Sequence, residues 1–417
     1  MAVTNLSISK LGNKGDGIHE GSEGLIFVPR TAPGDLIKAR IYQDPEGVVR
    51  ADFIELLSPS PQRQDPPCPH YDVCGNCTLQ HLNEKYYQAW KVEMVKDAFR
   101  KVGVEPQQWH DPIFLGGENR RRATFSAMKF GLDILLGYYR RRSREISNID
   151  SCLVADPKLI DLRNNLRPLL GPVLYEAKPC DFLVQLVGDT VDLAITGPLG
   201  KKGEPDDKVL AALEQILLVL QIERISWRAS DQEDYEILFE RDPVMASFGR
   251  LQVALPPAAF LQPTLAGEKA LVNAVMNALP PKGKFADLFS GCGTFTGPLS
   301  ERGSVEAFES VEKAVKALGK VAKVEKRDLF ANPLKPQELN RYDAVVFDPP
   351  RAGCLELAKN MARAKTPVLV GVSCNPATFA RDAKVLTEGG YRLESLQIID
   401  QFLWSHHVEV VGQFRHS

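Results

Sequence analysis

Two side chains near the end of the chain have the chemistry for covalent catalysis coupled to proton transfer. Cys374, in "VLVGVSCNPATFARD", stands directly after an apolar run that reads as a strand, so its thiol would be delivered to a sheet edge. Cys292 and Cys354 are rival thiols, but neither follows a strand directly, and Cys180 has no supporting context. Glu409, in "SHHVEVVGQF", is framed by Val408, Val410 and Val411. Desolvation in such a frame raises a carboxyl pKa and suits it to moving protons near neutrality. In "YDAVVFDPPRAG" a further apolar strand ends at Asp348, and Pro349 and Pro350 stiffen its exit.

A glycine loop precedes these groups. "ADLFSGCGTFT" carries Gly291 and Gly293 behind a strand closed by Asp287, and Glu309 lies 22 residues further on, at the end of the next strand. That spacing suits a carboxylate accepting from a ribose hydroxyl pair. Thr296 occupies the place of the third glycine of G-x-G-x-x-G, which disfavours a nicotinamide dinucleotide and favours S-adenosylmethionine.

Cys68, Cys74 and Cys77 form a C-x5-C-x2-C run, with Cys152 as the only nearby fourth thiol. Four thiolates hold either an iron–sulfur cluster or zinc; one lone C-x2-C knuckle weighs toward a 4Fe-4S cluster in a structural role. From Arg120 to Arg144 there are eight basic residues against the single acid Asp133, a local charge of +7 over 25 residues. Phe125, Phe130, Tyr138 and Tyr139 interleave with them, a pattern suited to phosphate contacts and base stacking, with Arg120 and Arg122 as candidate substrate contacts. A solvated charged face is the plainer alternative, because 51 Lys and Arg against 53 Asp and Glu leave the whole chain at -2.

The elements that must position these groups follow from patterning. Residues 3–57 are short runs punctuated by glycines, which predicts strands and tight turns in a small β-barrel closed by the linker "SPSPQRQDPPCP". Tyr87, Trp90, Met94 and Ala98 recur at helical spacing over 84–102, and this helix would pack on either neighbouring domain. Residues 111–255 mix strands with helices near 157–170 and 208–220, an α+β arrangement. Beyond 264 the chain alternates helix and strand, with strands at 284–289, 305–309, 344–347 and 368–373, the βαβ pattern of an open, mostly parallel sheet. The expected organisation is a multidomain α/β chain: a barrel over 1–60, a central domain over 61–255 with the cysteine site, and a Rossmann-like domain over 256–417. Eight cysteines in 417 residues are too few for a disulfide framework. No apolar stretch approaches the roughly 20 residues that cross a bilayer, and no secretory signal is visible, so a cytoplasmic monomer without a membrane partner is expected.

Taken together, these motifs resemble the RNA 5-methyluridine methyltransferases. "GDGI", "FVPRTAPGD" and "SPSPQR" are similar to that family's TRAM RNA-binding barrel. "AFLQPT", "DLFSGCGTFT", "DPPRAG", "SCNPATFARD" and "HVEVV" follow in family order. The resemblance implies a Rossmann-like S-adenosylmethionine methyltransferase domain, with Cys374 as nucleophile and Glu409 as base. It implies Asp348 and Gln262 as contacts of substrate or cofactor, Phe260 as a wall of the uracil pocket, and Phe289, Thr294, Glu309 and Asp328 along the cofactor. A barrel combined with four cysteines most resembles the bacterial ribosomal RNA enzymes, so ribosomal RNA is the expected partner ahead of transfer RNA. Thr294 departs from the Asn more usual in the family, and only 19 residues separate Glu309 from Asp328.

Such a mechanism has a physical reason. Carbon 5 of uracil is too weak a nucleophile to take a methyl group directly, and a thiolate added at carbon 6 turns the ring into an enolate. The target base must leave its stack, so an unpaired or flipped uridine is implied. Radical S-adenosylmethionine chemistry is disfavoured by the cysteine spacing, and a non-catalytic RNA-binding assembly factor by the presence of both Cys374 and Glu409.

Overall fold

A computed structural model describes residues 3–21, 24–117 and 119–416. The chain divides into two compact units. One comprises residues 1–96, 139–145 and 402–407; the other comprises 97–138, 146–401 and 408–417.

In the first unit, six short strands form one sheet in the order Val3–Ser7, Leu36–Gln43, Val49–Ser58, Gly24–Val28, Gly17–Gly21 and Lys10–Leu11. Alternate residues point inward, and Leu6, Ile8, Val28, Ile37, Ala39 and Ala51 make its core. The helix Glu84–Val102 begins in this unit, where Tyr87 and Trp90 pack with Leu79 and Leu82. Asp16 is buried here and paired with Arg50, Arg141 and Arg142.

The second unit holds two large sheets. One has seven strands in the order Ile146–Asn148, Asp133–Tyr139, Arg122–Phe130, Cys180–Val187, Thr190–Thr196, Arg224–Arg228 and Glu236–Glu240. Its accompanying helices, Pro157–Leu166 and Asp207–Val219, start on the capping carboxylates of Asp156 and Asp206. This is the α+β arrangement anticipated for the region.

The other sheet has nine strands. Val324–Lys326, Gly303–Glu309, Gly283–Leu288, Ala344–Phe347 and Val368–Ser373 run parallel in that order. Glu409–His416 and Tyr391–Asp400 then continue it antiparallel, with Gln108–Trp109 and Ile113–Phe114 beyond. Every residue of Ala344–Phe347 and Val368–Ser373 is buried, as expected of strands covered on both faces. Strand order reverses at Gly283–Leu288, whose neighbours are the strands that follow it in both directions, and the crevice at such a switch point is where ligands bind in this class of sheet.

Three local expectations change. The strand expected over 284–289 spans Gly283–Leu288, one residue past Asp287 and one short of Phe289, which opens the loop with a left-handed backbone, φ 63°. The helix after the glycine loop is only the five residues Thr296–Ser300. The three-residue strand Val324–Lys326, charged and too short for periodicity to reveal, was not anticipated. Among the described residues no helix is long and apolar enough to cross a membrane.

Candidate active site

Sheet register brings the principal groups to one edge. Ser373 pairs with Val410 across antiparallel strands, so Cys374, one residue after the first, and Glu409, one residue before the second, lie opposite each other. On the other side, Phe347 pairs with Gly371, and Asp348 leaves its strand beside them. Asp348 donates its backbone N–H to the Leu288 carbonyl at 3.2 Å, which ties this exit to the glycine-loop strand.

Cys374 is half-buried, whereas Cys180, Cys292 and Cys354 are buried. Burial pushes the Cys292 thiol up to about 11 and the Cys354 thiol well above its ordinary value, leaving both inert at neutral pH. The Cys374 thiol is also raised, first by desolvation and then by the nearby carboxyls of Glu409 and Asp348, but the Arg351 guanidinium opposes this by charge and by hydrogen bonding. Arg351 sits in the "DPPRAG" loop, which is stitched to the helix Pro376–Glu388. Asn375 caps that helix and donates Nδ2 to the Arg351 carbonyl at 2.9 Å, and Thr378 Oγ1 donates to the same carbonyl at 3.1 Å.

Glu409 is 5% exposed, and burial followed by the Asp348 charge pushes its carboxyl up to about 8. Gln401 and Arg351 work in the opposite direction. The Gln401 amide, itself buried, donates Nε2 to Gln262 Oε1 at 2.9 Å and to Glu409 Oε1 at 3.3 Å. Gln262 is buried on the segment leading into the helix Leu265–Asn277, which Thr264 caps by accepting from the Gly267 N–H. Phe260, two residues earlier, is 64% exposed, and the Arg122 guanidinium lies 5.0 Å from its ring centroid. Sequence reasoning missed both Arg351 and Gln401. Arg351 was visible inside a quoted motif, whereas Gln401 carries no motif signal.

The basic run has a more structural character than its charge alone suggests. Arg121 is buried, pairs with Glu268 at 2.6 Å and donates Nε to the Gln262 carbonyl at 2.9 Å. Arg122 donates to the Leu261 carbonyl at 3.3 Å, and Arg120 makes a backbone bridge with Ala155. Arg121 and Arg122 therefore hold the Phe260–Gln262 segment in place.

At the glycine loop, Asp287 is fully buried and pushed up to about 7 by desolvation; Thr296 Oγ1 donates to its Oδ2 at 2.5 Å. Its Oδ1 and the Oγ of Ser290 are buried without a partner, and Gly291, at φ 54°, faces open space where a Cβ would stand. Orphaned polar atoms beside an open backbone fit a ligand that carries hydroxyl and amino groups, as S-adenosylmethionine does. Glu309 closes its strand with Oε1 accepting from Ser310 N and Val311 N, and Oε2 from Gly291 N. Oε2 thus keeps one acceptor position. Gly293, at φ 108°, allows Leu318 to pack closely, and Thr294 is half-buried at the loop exit. Phe289 meets Phe330 with ring centroids 5.5 Å apart. Asp328 is exposed two residues after Val324–Lys326, and its Oδ1 accepts from Phe330 N and Ala331 N. Asp348 retains some exposure, and desolvation pushes its carboxyl up to about 7.

The cysteine run behaves differently. Cys74 and Cys77 line a pocket of about 220 Å³ with Arg30, Tyr71, Arg140 and Arg141. Cys68 belongs to the same unit and Cys152 to the other. Among the described residues no group of three or more His, Cys, Asp or Glu side chains converges as a metal site.

Comparison with known proteins gives a consistent result. Residues 310–414 match the sequence profile described as tRNA (Uracil-5-)-methyltransferase. An uncharacterised RNA methyltransferase of Brucella suis is 37% identical, covering 98% of this chain and 96% of its own. The 23S rRNA (uracil(1939)-C(5))-methyltransferase RlmD of Shewanella sediminis is 28% identical over 99% of this chain and 96% of its own. Among solved structures, the Pyrococcus abyssi tRNA (uracil-54, C5)-methyltransferase in complex with S-adenosyl-L-homocysteine is similar over 98% of this chain and 99% of its own, with a TM-score of 0.74 and 25% identity.

Proposed function

Because the chain belongs to the RNA 5-methyluridine methyltransferase family, we propose that this RNA methyltransferase modifies carbon 5 of a uridine in ribosomal RNA through a covalent bond to Cys374. The observation that carries the reading is the meeting of a half-buried thiol, a buried carboxyl and Asp348 on adjacent strand ends beside an open glycine loop.

S-adenosylmethionine supplies a methyl group activated by its positively charged sulfur. The Cys374 thiolate adds to carbon 6 of the uracil, and the displaced electron pair becomes an enolate whose carbon 5 takes the methyl group, leaving neutral S-adenosylhomocysteine. The Glu409 carboxylate then removes the carbon 5 proton. The freed pair restores the ring double bond as sulfur departs, which returns the thiolate. Arg351 favours the thiolate by its charge. Gln262 and Asp348 hold the uracil edge or the methyl donor, and donors at the ring carbonyl stabilise the enolate. Phe260, backed by Arg122, walls the pyrimidine, with Arg120 nearby as a phosphate contact. Phe289, Gly291, Gly293, Thr294, Glu309 and Asp328 line the donor site.

Ribosomal RNA is favoured by the end-to-end alignment with RlmD; transfer RNA is the second reading, supported by the Pyrococcus likeness. We also propose, on the cysteine spacing alone, a 4Fe-4S cluster on Cys68, Cys74, Cys77 and Cys152 without a part in methyl transfer. Iron and acid-labile sulfide in anaerobically purified protein test it, and their absence rejects it. For the substrate, labelled methyl transfer is measured with 23S rRNA and with bulk tRNA, both from cells lacking 5-methyluridine. Label recovered as 5-methyluridine in rRNA is expected, and label confined to tRNA overturns the assignment.

A further inference from the structure

Gln401 lies at the end of the strand Tyr391–Asp400, whose Ile399 pairs with Glu409. It is 2% exposed, and its Nε2 bridges Gln262 Oε1 and Glu409 Oε1. Its own Oε1 is buried without a partner. The helix Leu265–Asn277 makes room for this amide: a Cβ at Gly267 would lie 2.1 Å from Gln401 Oε1. No side chain larger than hydrogen fits at that helical position while Gln401 stays where it is.

We propose that Gln401 is a positioning residue that holds the base Glu409 and the substrate-side Gln262 in register through both protonation states of the base. The proposal rests on the reading of Glu409 as the base. When Glu409 is a carboxylate, the Nε2–H group donates to it. Once Glu409 has taken the carbon 5 proton, a half-turn of the Gln401 amide brings Oε1, which has no other duty, to accept from the new O–H, and a matching half-turn of the Gln262 amide turns its Nε2 to donate to the same oxygen. A lysine could serve only the first state and an aspartate only the second. An uncharged amide serves both without fixing the proton on either side. The groups that bear electrostatically on Glu409 are Asp348 and Arg351, and Glu409 in turn acts on Cys374. Gln401 thus acts on orientation inside a field that those groups set.

The test compares Gln401→Met, nearly isosteric but without the amide, with the parent enzyme. The expected result is a fall in kcat of about tenfold or more with KM for the methyl donor within about threefold. The acid limb of the kcat profile should also shift to higher pH, because a hydrogen bond to the carboxylate form is lost. Trapping on RNA containing 5-fluorouridine, which stops before proton removal, should proceed in the variant at the parent's rate. Gly267→Ala, which displaces the amide without altering it, should give the same pattern in smaller measure and serves if Gln401→Met does not fold. Turnover and pH profile unchanged in the folded variant overturn the proposal, as does an equal loss of trapping and turnover. Failure of the parent enzyme itself to trap would instead overturn the underlying reading of Cys374 and Glu409.

Discussion

Two sets of buried carboxyl groups in this molecule are treated in opposite ways. In the seven-stranded sheet, Asp192 is 1% exposed and meets both Arg224 Nε and Nη2 at 2.9 Å, while Arg224 Nη1 donates to the Leu255 carbonyl at 2.7 Å. At the carboxyl edge of the nine-stranded sheet, no ion pair joins Asp287, Asp348 or Glu409 to a cation among the described residues, and desolvation pushes them up to about 7, about 7 and about 8. The first arrangement neutralises charge within the fold. The second keeps carboxyl groups poised to exchange protons near neutrality, at a cost to stability when they ionise.

Removing the carboxyl proposed as the base breaks the contrast most strongly. Glu409→Gln should lower turnover by roughly 10²–10⁴-fold, since a positioned general base contributes on that scale. Methylated RNA should accumulate as a covalent adduct, visible as a slow band on a denaturing gel. Normal turnover with no adduct would mean that the buried carboxyl is not the base.

Next in size is the loss of a cation from the paired set. Arg224→Met strands Asp192 in the interior and should cost about 3–5 kcal/mol of unfolding free energy, read from the denaturant midpoint. The corresponding change at the edge, Glu409→Gln, should not lower stability at all at pH 8. Equal losses from both substitutions would erase the distinction.

The smallest effect is a pH dependence of stability that comes from the edge set, where the folded carboxyl values are raised. A carboxyl whose folded pKa is raised favours folding fully below its ordinary range near 4, and that contribution is lost as pH climbs through the folded value. Between pH 5 and pH 9 the parent protein should therefore lose more Tm than Glu409→Gln, by a few degrees. Parallel curves would show that Glu409 ionises in the fold as easily as in the unfolded chain.

Much of the nine-stranded sheet was legible in the sequence because its central strands are buried on both faces and so read as unbroken apolar runs. Ala344–Phe347 and Val368–Ser373 coincide with the expected bounds. The amphipathic helix at 84–102 was readable for a similar reason, since a half-buried face repeats every turn. What escaped detection depends on partners distant in sequence. Arg121 reads as one charge in a basic run, yet its partner Glu268 is 147 positions away. Gln401 looks like an ordinary polar residue after "IID", and only the register of Ile399 against Glu409 reveals its reach. Asp328 was expected along the cofactor from the resemblance alone, and its carboxylate accepts from the backbone of its own turn, a contact that no sequence pattern announced.

The central claim is a transient sulfur–carbon bond, and the most direct measurement is mass spectrometry of the protein after incubation with S-adenosylmethionine and a 5-fluorouridine-substituted rRNA fragment. Fluorine at carbon 5 cannot be removed as a proton, so the adduct should persist and map to the peptide containing Cys374. An intact, unlabelled Cys374 peptide alongside RNA-dependent consumption of the methyl donor would contradict the account.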